Sequence, residues 1–417
     1  MHAVTQTMLW LLPQTTGFIY PNEAEAPWSL LIVVYPYLTG LVAGAFILAS
    51  LVKVFNVKEL QPVYRLAMLT ALAFMLIAPL PLLLHLGHPE RSYEIFLTPN
   101  LTSAMAMFGF VYAWYLMVVL LLEVWFTYRR ELIIWSQGER TAMKVVYRVL
   151  SLFSTDTSEK SAEFDKKAIK VITIVGIPSA FLLHGYVGFI FGSVKANPWW
   201  SSVLMPIVFL FSAIVSGIAL VTLLYMVLTT LRGVKISMPC LDKMTSYLFY
   251  AVILDFSLEF LDFIHRLYES EESIKILSEL VMNRLFISLG VIQVLLGMLV
   301  PLGIMVMIRV LRLDEELRKL LYFVAVILIQ LGIFATRWNV VIGGQMFSKS
   351  FRGLMEYKVQ IGGMDGFLLT LVLLTMPFVI LTVLIKVLPP WDRSESLHVL
   401  ARPHPSSESQ DGAIIAT

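Results

Sequence analysis

Long apolar runs separated by short polar stretches fill this chain almost from end to end. The hydrocarbon core of a bilayer takes about 20 helical residues to cross. By that length nine segments qualify as spanning helices: 28–52, 63–86, 101–128, 168–192, 202–231, 245–267, 281–308, 317–340 and 366–388. The stretch from Met8 to Leu12 is too short to span and reads as interfacial. One long polar loop, 129–167, separates the third run from the fourth. In it, Ile133 to Trp135 and Met143 to Leu150 predict an amphipathic helix on the membrane surface, and Ser154 to Ser161 a polar linker. The expected organisation is an interfacial, periplasmic segment 1–27, helices one to three in 28–128, a cytoplasmic amphipathic loop 129–167, helices four to nine in 168–388, and a disordered Ser- and Pro-rich cytoplasmic tail 389–417. The fold class is all-α and integral to the membrane, with no internal repeat.

The exceptions to the apolar pattern carry the chemistry. The segment from Tyr250 to His265 reads as a spanning helix, yet it holds Asp255, Glu259, Asp262 and His265. At about 100° per residue the three carboxylates share one face. Ionisable groups in hydrocarbon are costly, so they mark a bundle interior, a proton path or a ligand. Further polar residues gather at one end of the expected bundle: Tyr35, Tyr37 and Thr39 on the first helix, His85 and His88 at the end of the second, His184 and Tyr186 on the fourth, and Arg337 at the end of the eighth. A polar pocket open to that face is the expected site. Trp199 and Trp200 read as interfacial belt residues, and the opposite halves of the helices as almost wholly apolar.

Composition confirms the class: 58% of residues are hydrophobic and 14% charged, with a mean hydropathy of +0.80. The net charge of +2 does not point to nucleic acid, because the basic residues sit in loops. One cysteine, Cys240, excludes an internal disulfide and a four-thiolate iron–sulfur cluster. No cleavable signal peptide is expected. Of 31 Lys and Arg residues, 22 fall in one set of loops and 9 in the other. Since basic residues favour the cytoplasmic side, the N-terminus is expected outside and the C-terminus inside, in the cytoplasmic membrane of a prokaryote.

Several motifs, in order, carry a resemblance. They are Tyr35-Pro36-Tyr37-Leu38-Thr39-Gly40, His85-Leu86-Gly87-His88-Pro89-Glu90-Arg91, His184-Gly185-Tyr186-Val187-Gly188, Asn197-Pro198-Trp199-Trp200, Pro206 to Ser212 with Ser216-Gly217, and a last outer loop running from Arg337 through Asn339 and Gly343-Gly344 to Gln345. Over roughly 28–390 the chain resembles the NrfD/PsrC family of quinone-interacting membrane subunits. It is most similar to the long type found in Dsr, periplasmic hydrogenase and alternative complex III assemblies. The resemblance implies two four-helix bundles plus an extra helix, with a quinone, menaquinone above all, bound near the outer face. It also implies that this chain holds no haem or iron–sulfur cluster, and that a ferredoxin-like iron–sulfur subunit docks outside and leads to a molybdopterin, hydrogenase or multihaem cytochrome subunit. The family's Tyr on the Tyr-x-Gly segment is matched by Tyr186. First-helix polar residues are matched by Tyr35, Tyr37 and Thr39. No His or Asn stands on that helix, which leaves the role to His184 or His85.

On this reading Tyr186 and His184 hydrogen-bond the headgroup. Asp255, Glu259, Asp262 and His265 relay protons, while Arg91, Arg337, Asn339 and Gln345 dock the partner or form ion pairs. No metal site is expected. Such a chain exchanges electrons with the quinone pool, with the catalytic centre in another subunit. Two other classes remain open: a haem b anchor using His85 and His184 as axial ligands, and a proton-coupled secondary transporter built on the carboxylate ladder.

Overall fold

The computed structural model describes residues 16–23, 25–103, 105, 107–137, 141–269 and 273–391. The predicted interfacial stretch at Met8 to Leu12 and the tail beyond Trp391 lie outside these. The start of the tail is held in place: Tyr128 donates to the carbonyls of Leu388 and Pro389 (3.3 and 3.2 Å), and the Arg232 guanidinium lies 3.7 Å over the Trp391 ring.

All nine predicted runs are helical. They are α1 Leu30–Lys53, α2 Lys58–His85, α3 Phe108–Gln137, α5 Glu159–Gly192, α6 Met205–Leu231, α7 Met238–Glu269, α8 Phe286–Val310, α9 Glu315–Gln345 and α10 Phe367–Val387. The loop helix α4 is Thr141–Leu150. Ser29, Ser158 and Asp314 cap α1, α5 and α9, each accepting a first-turn backbone N–H at 3.2–3.3 Å. Pro79 and Pro81 break α2 after Ile77, where their missing N–H groups and rings disrupt the ladder.

Eight described helices are long and apolar enough to cross a membrane, so the chain is a multi-pass membrane protein. That is one fewer than the sequence predicts. The ninth run, α7, is also helical, with 32 residues, and carries Asp255, Glu259 and Asp262 in its upper half. Two boundaries also differ. Ile133 to Trp135 belong to the end of α3 rather than to a surface helix, and α5 already begins at Glu159, inside the predicted linker.

Helices α1 and α6 form the centre of the molecule. Helix α1 packs on α2, α5 and α6, and α3 fits between α2 and α5. On the other side α6 packs on α7 and α9, α9 packs on α8, and α10 lies against α2. Helix α1 is apolar all round and almost wholly buried, as an all-apolar helix at the centre of a larger protein must be. The α1–α6 crossing depends on missing side chains. A Cβ on Gly44 would fall 2.0 Å from the Ala213 carbonyl oxygen, and one on Gly217 only 2.3 Å from the Gly44 backbone. Small residues bring helices this close where lipid supplies no hydrophobic drive between them.

The face at which α1 begins is called upper here. It carries a small cap in which β1 (Thr16–Phe18) pairs antiparallel with β2 (Arg352–Leu354), Gly17 opposite Gly353. Ala26 N–H donates to the Glu356 carbonyl (2.8 Å), Ser350 Oγ to the Phe18 carbonyl (2.5 Å), and Lys358 pairs with Glu25.

Candidate functional site

The predicted site residues separate into three groups. The first lies at the upper end, between α1, α3 and α5. Thr39 Oγ1 donates to the Tyr35 carbonyl (2.7 Å) and stands 2.6 Å from Tyr112 Oη. A threonine has one hydroxyl proton, so Tyr112 is the donor in the second bond. The Phe108 ring lies tilted 4.5 Å from the Tyr112 ring and meets the Tyr35 ring edge-on at 5.4 Å. The buried hydroxyls of Tyr35 and Tyr186 reach no hydrogen-bond partner, which is costly for a polar group away from water. Tyr112 and Phe108 close one end of a cavity of about 670 Å³ between α2 and α3, walled by apolar residues such as Met75, Leu82 and Phe96, with His88 and Arg91 also lining it. Tyr112 is the residue that sequence reasoning missed. Its signal was a tyrosine one turn beyond Phe108 on the same helix face.

The second group is central and charged. Arg337 is completely buried on α9. Its Nη2 donates to Ser212 Oγ (2.5 Å) and to His184 Nε2 (3.2 Å), and its guanidinium lies 4.3 Å over the Phe209 ring. Arginine always donates, so His184 accepts at Nε2 and carries its proton on Nδ1, which has no partner. Arg337 therefore cannot touch a docked subunit. His184 and Tyr186, expected to flank one headgroup, face different neighbours: His184 packs on Gly40 of α1 and on Arg337, Tyr186 on the Met107 side of α3. Tyr37 donates to Gln330 (2.8 Å), which donates in turn to the Ser216 carbonyl (2.7 Å). The carboxyls of Asp255 and Glu259 lie within electrostatic range of Arg337, so a buried cation faces two buried acids.

The third group spans the α7–α8–α9 seam and the upper end. The expected four-residue ladder divides here. Asp262 pairs with Arg266 on its own helix and accepts from Ser202, and Arg266 also donates to the Trp199 carbonyl. His265 lies 3.5 Å from Glu269, at the end of α7 and away from Asp255. Glu259 instead accepts from Gln293 Nε2 (2.8 Å), Gln293 Oε1 from Asn339 Nδ2 (2.6 Å), and Asn339 Oδ1 from Ser288 (2.6 Å). Asn339 is thus an interior residue, not a docking one. Gln345 is half-buried at the upper face.

The predicted outer loop 337–345 is helix throughout. Gly343-Gly344, in the last turn of α9, makes room for two indoles. Trp199 Nε1 donates to the Asn339 carbonyl (2.8 Å) and Trp200 Nε1 to that of Val340 (2.6 Å). A Cβ on Gly344 would sit 1.9 Å from Trp200 Nε1. Both tryptophans are buried rather than in an interfacial belt. His85 bonds Asp365 (2.9 Å) and Ser29 (3.3 Å), tying the end of α2 to the loop before α10. It has no partner in common with His184. Among the described residues no three His, Cys, Asp or Glu side chains gather as a metal site would require.

The lower half is not purely apolar. Glu123 on α3 is fully buried, accepting from Tyr64 (3.1 Å) and Thr173 (2.9 Å), with Lys53 4.3 Å over the Tyr64 ring.

The chain is similar in sequence to several membrane subunits. The C subunit of selenate reductase from Mesobacillus selenatarsenatis is 38% identical over 206 residues, 48% of this chain and 47% of the relative. A putative membrane C subunit of dimethyl sulfoxide reductase from Halobacterium salinarum is 30% identical over 46% of this chain and 41% of its own length. Protein NrfD of Escherichia coli is 26% identical over 50% of this chain and 61% of its own. The chain thus spans about half the length of the curated relatives it matches. Residues 20–349 match the family described as Polysulphide reductase, NrfD, and the chain belongs to that family.

Proposed function

We propose that the chain is the quinone-binding membrane subunit of a respiratory oxidoreductase complex. The observation that carries this is the 670 Å³ apolar cavity ending on Tyr112, backed by Thr39, Phe108 and Tyr35. A quinone is a flat ring with two carbonyl acceptors and an apolar tail. It fits a site with apolar walls and a few placed hydroxyl donors. Tyr35 and Tyr186, whose hydroxyls are unpartnered, supply donors beside Tyr112. The quinone itself supplies two-electron, two-proton chemistry. The chain holds the ring and excludes water, while the central Arg337, Asp255, Glu259 and His184 group holds charge and protons one layer deeper.

The nine-helix reading belongs to this proposal, with α7 as a span whose charges face inward, the N-terminus outside, and α1, α2, α3 and α5 in one bundle with α6 to α9 in the other. So do the segment divisions at 27, 128, 167 and 388, and the cytoplasmic membrane as location. Menaquinone is the favoured pool member. An iron–sulfur subunit is the favoured partner, docked on the upper face around Arg91 and Gln345. The reductase-subunit relatives support a partner that carries the catalytic centre.

The test is fluorescence quenching of a hydroxyquinoline N-oxide inhibitor titrated into the purified protein. Saturation at about one site per chain is expected. Tyr35→Phe, which removes a hydroxyl that has no partner in the structure, should weaken binding about tenfold, the equivalent of one hydrogen bond of ~1.4 kcal/mol, with no change in melting temperature. No saturable binding to folded protein would remove the proposal.

A further inference from the structure

A second cavity lies far from the tyrosines, between α6, α7, α8 and α9, with a volume of about 280 Å³. One wall is a phenylalanine stripe, Phe256, Phe260 and Phe263, spaced to share one face of α7. Phe260 is 56% exposed, so the cavity opens sideways through the apolar surface of the bundle. Its floor is polar, formed by Glu259, Gln293 and Asn339. Around Gln293, residues Phe286–Leu299 wind with wider, π-type bonding, a distortion found often at functional sites. Below it α8 and α9 close tightly, a Cβ on Gly297 falling 2.3 Å from Gly332 Cα.

The polar floor has a fixed direction. Glu259 as a carboxylate only accepts, so Gln293 must turn its amide N–H₂ towards it. Gln293 Oε1 then faces the Asn339 N–H₂, and Asn339 Oδ1 faces the Ser288 hydroxyl. Every bond in the chain runs towards Glu259. The one acceptor it leaves open is Glu259 Oε1, which is buried without a partner. An occupant that completes the site brings a donor. Acyl chains have none.

We propose that this cavity is a second ligand site, reached from the lipid, for a flat ring carrying a hydroxyl donor and an apolar tail: the quinol class, in its reduced, donating form. The ring lies against the Phe256–Phe260–Phe263 wall, and its hydroxyl donates to Glu259 Oε1. The first cavity offers tyrosine hydroxyls to carbonyl oxygens, so the two sites select opposite redox forms. The inference concerns binding alone and stands whether or not the tyrosine pocket is a quinone site.

The experiment is anaerobic photolabelling of the full-length protein in lipid nanodiscs with a diazirine-tagged 1,4-naphthohydroquinone, read by peptide mass spectrometry. Label is expected on α7 and α8 peptides. Untagged 1,4-naphthohydroquinone should compete about tenfold better than 1,4-dimethoxynaphthalene, which has the same ring and no donor, the loss of one hydrogen bond. Val294→Trp, which fills the cavity, should abolish that label and leave any label on α2 and α3 peptides intact. Equal competition by the diether would reduce the cavity to a lipid groove and overturn the proposal. So would an absence of label on α7 and α8, or its persistence in Val294→Trp. The ether comparison uses the unmodified chain, so it decides even if the variant does not fold. Loss of label from α2 and α3 alone would count against the tyrosine pocket instead.

Discussion

The tyrosine pocket and the arginine centre are neighbours built on opposite electrostatic principles. Next to Tyr112 the polar atoms are the neutral hydroxyls of Thr39 and Tyr35, and the cavity walls are mostly apolar, with His88 and Arg91 also on the lining. Around Arg337 a full charge is buried beside two carboxyl groups, a histidine and a serine. Neutral donors can exchange partners cheaply, which suits a ligand that comes and goes. Buried charges cannot, because removing one strands the others in a medium of low dielectric. The comparison assigns exchange to the first region and a fixed charge framework to the second.

The largest effect that would test this comparison is at the charge. Arg337→Met should cost about 3–5 kcal/mol, the penalty for breaking a buried ion group, and greatly reduce the yield of folded protein in detergent. Folding and melting at wild-type levels would mean that the centre is wet and its charges solvated. Next comes the seam that orients it. Gly344→Ala places a methyl group on the Trp200 indole, so a loss of about 1–3 kcal/mol is expected, read as a lower melting temperature with inhibitor affinity retained by the surviving folded fraction. The smallest effect is at the surface. His85→Ala removes a half-exposed tie to Asp365 and should change stability by under about 1 kcal/mol without touching inhibitor binding. A large loss of binding there would move the pocket towards α10.

Much of this architecture is legible in the sequence. Length and apolarity locate all nine helices, and the polar exceptions mark α7 and the upper ends of α1 and α5. What fails is the outer loop expected at 337–345, which is helix. Its Gly343-Gly344 pair is a socket for Trp199 and Trp200, whose indoles sit on helix carbonyls. That is a contact between residues about 140 positions apart, invisible to local pattern. For the same reason Arg337 and Asn339 look like exposed loop residues and are interior. The carboxylate face of α7 follows from angle alone. Its division depends on partners: Arg266, one turn further along the same helix, and the distant Ser202 for Asp262, and the distant Gln293 for Glu259. Glu123 is legible as a lone acid in the run from Leu120 to Val124, but its surroundings are so uniformly apolar that this half of the helices reads as featureless.

The strand pair on the upper face sets an order in time as well as in space. Residues Thr16–Phe18 are made first, yet their hydrogen-bond partners Arg352–Leu354 emerge only after α9 has been synthesised. The same delay holds for Glu25 and its partner Lys358. During biosynthesis the N-terminal segment therefore waits unpaired while the helix bundle is threaded into the membrane. Closing the cap is the step that reports the arrival of the loop after α9, and any subunit that recognises the closed cap will pass over a chain in which α9 has not yet been made.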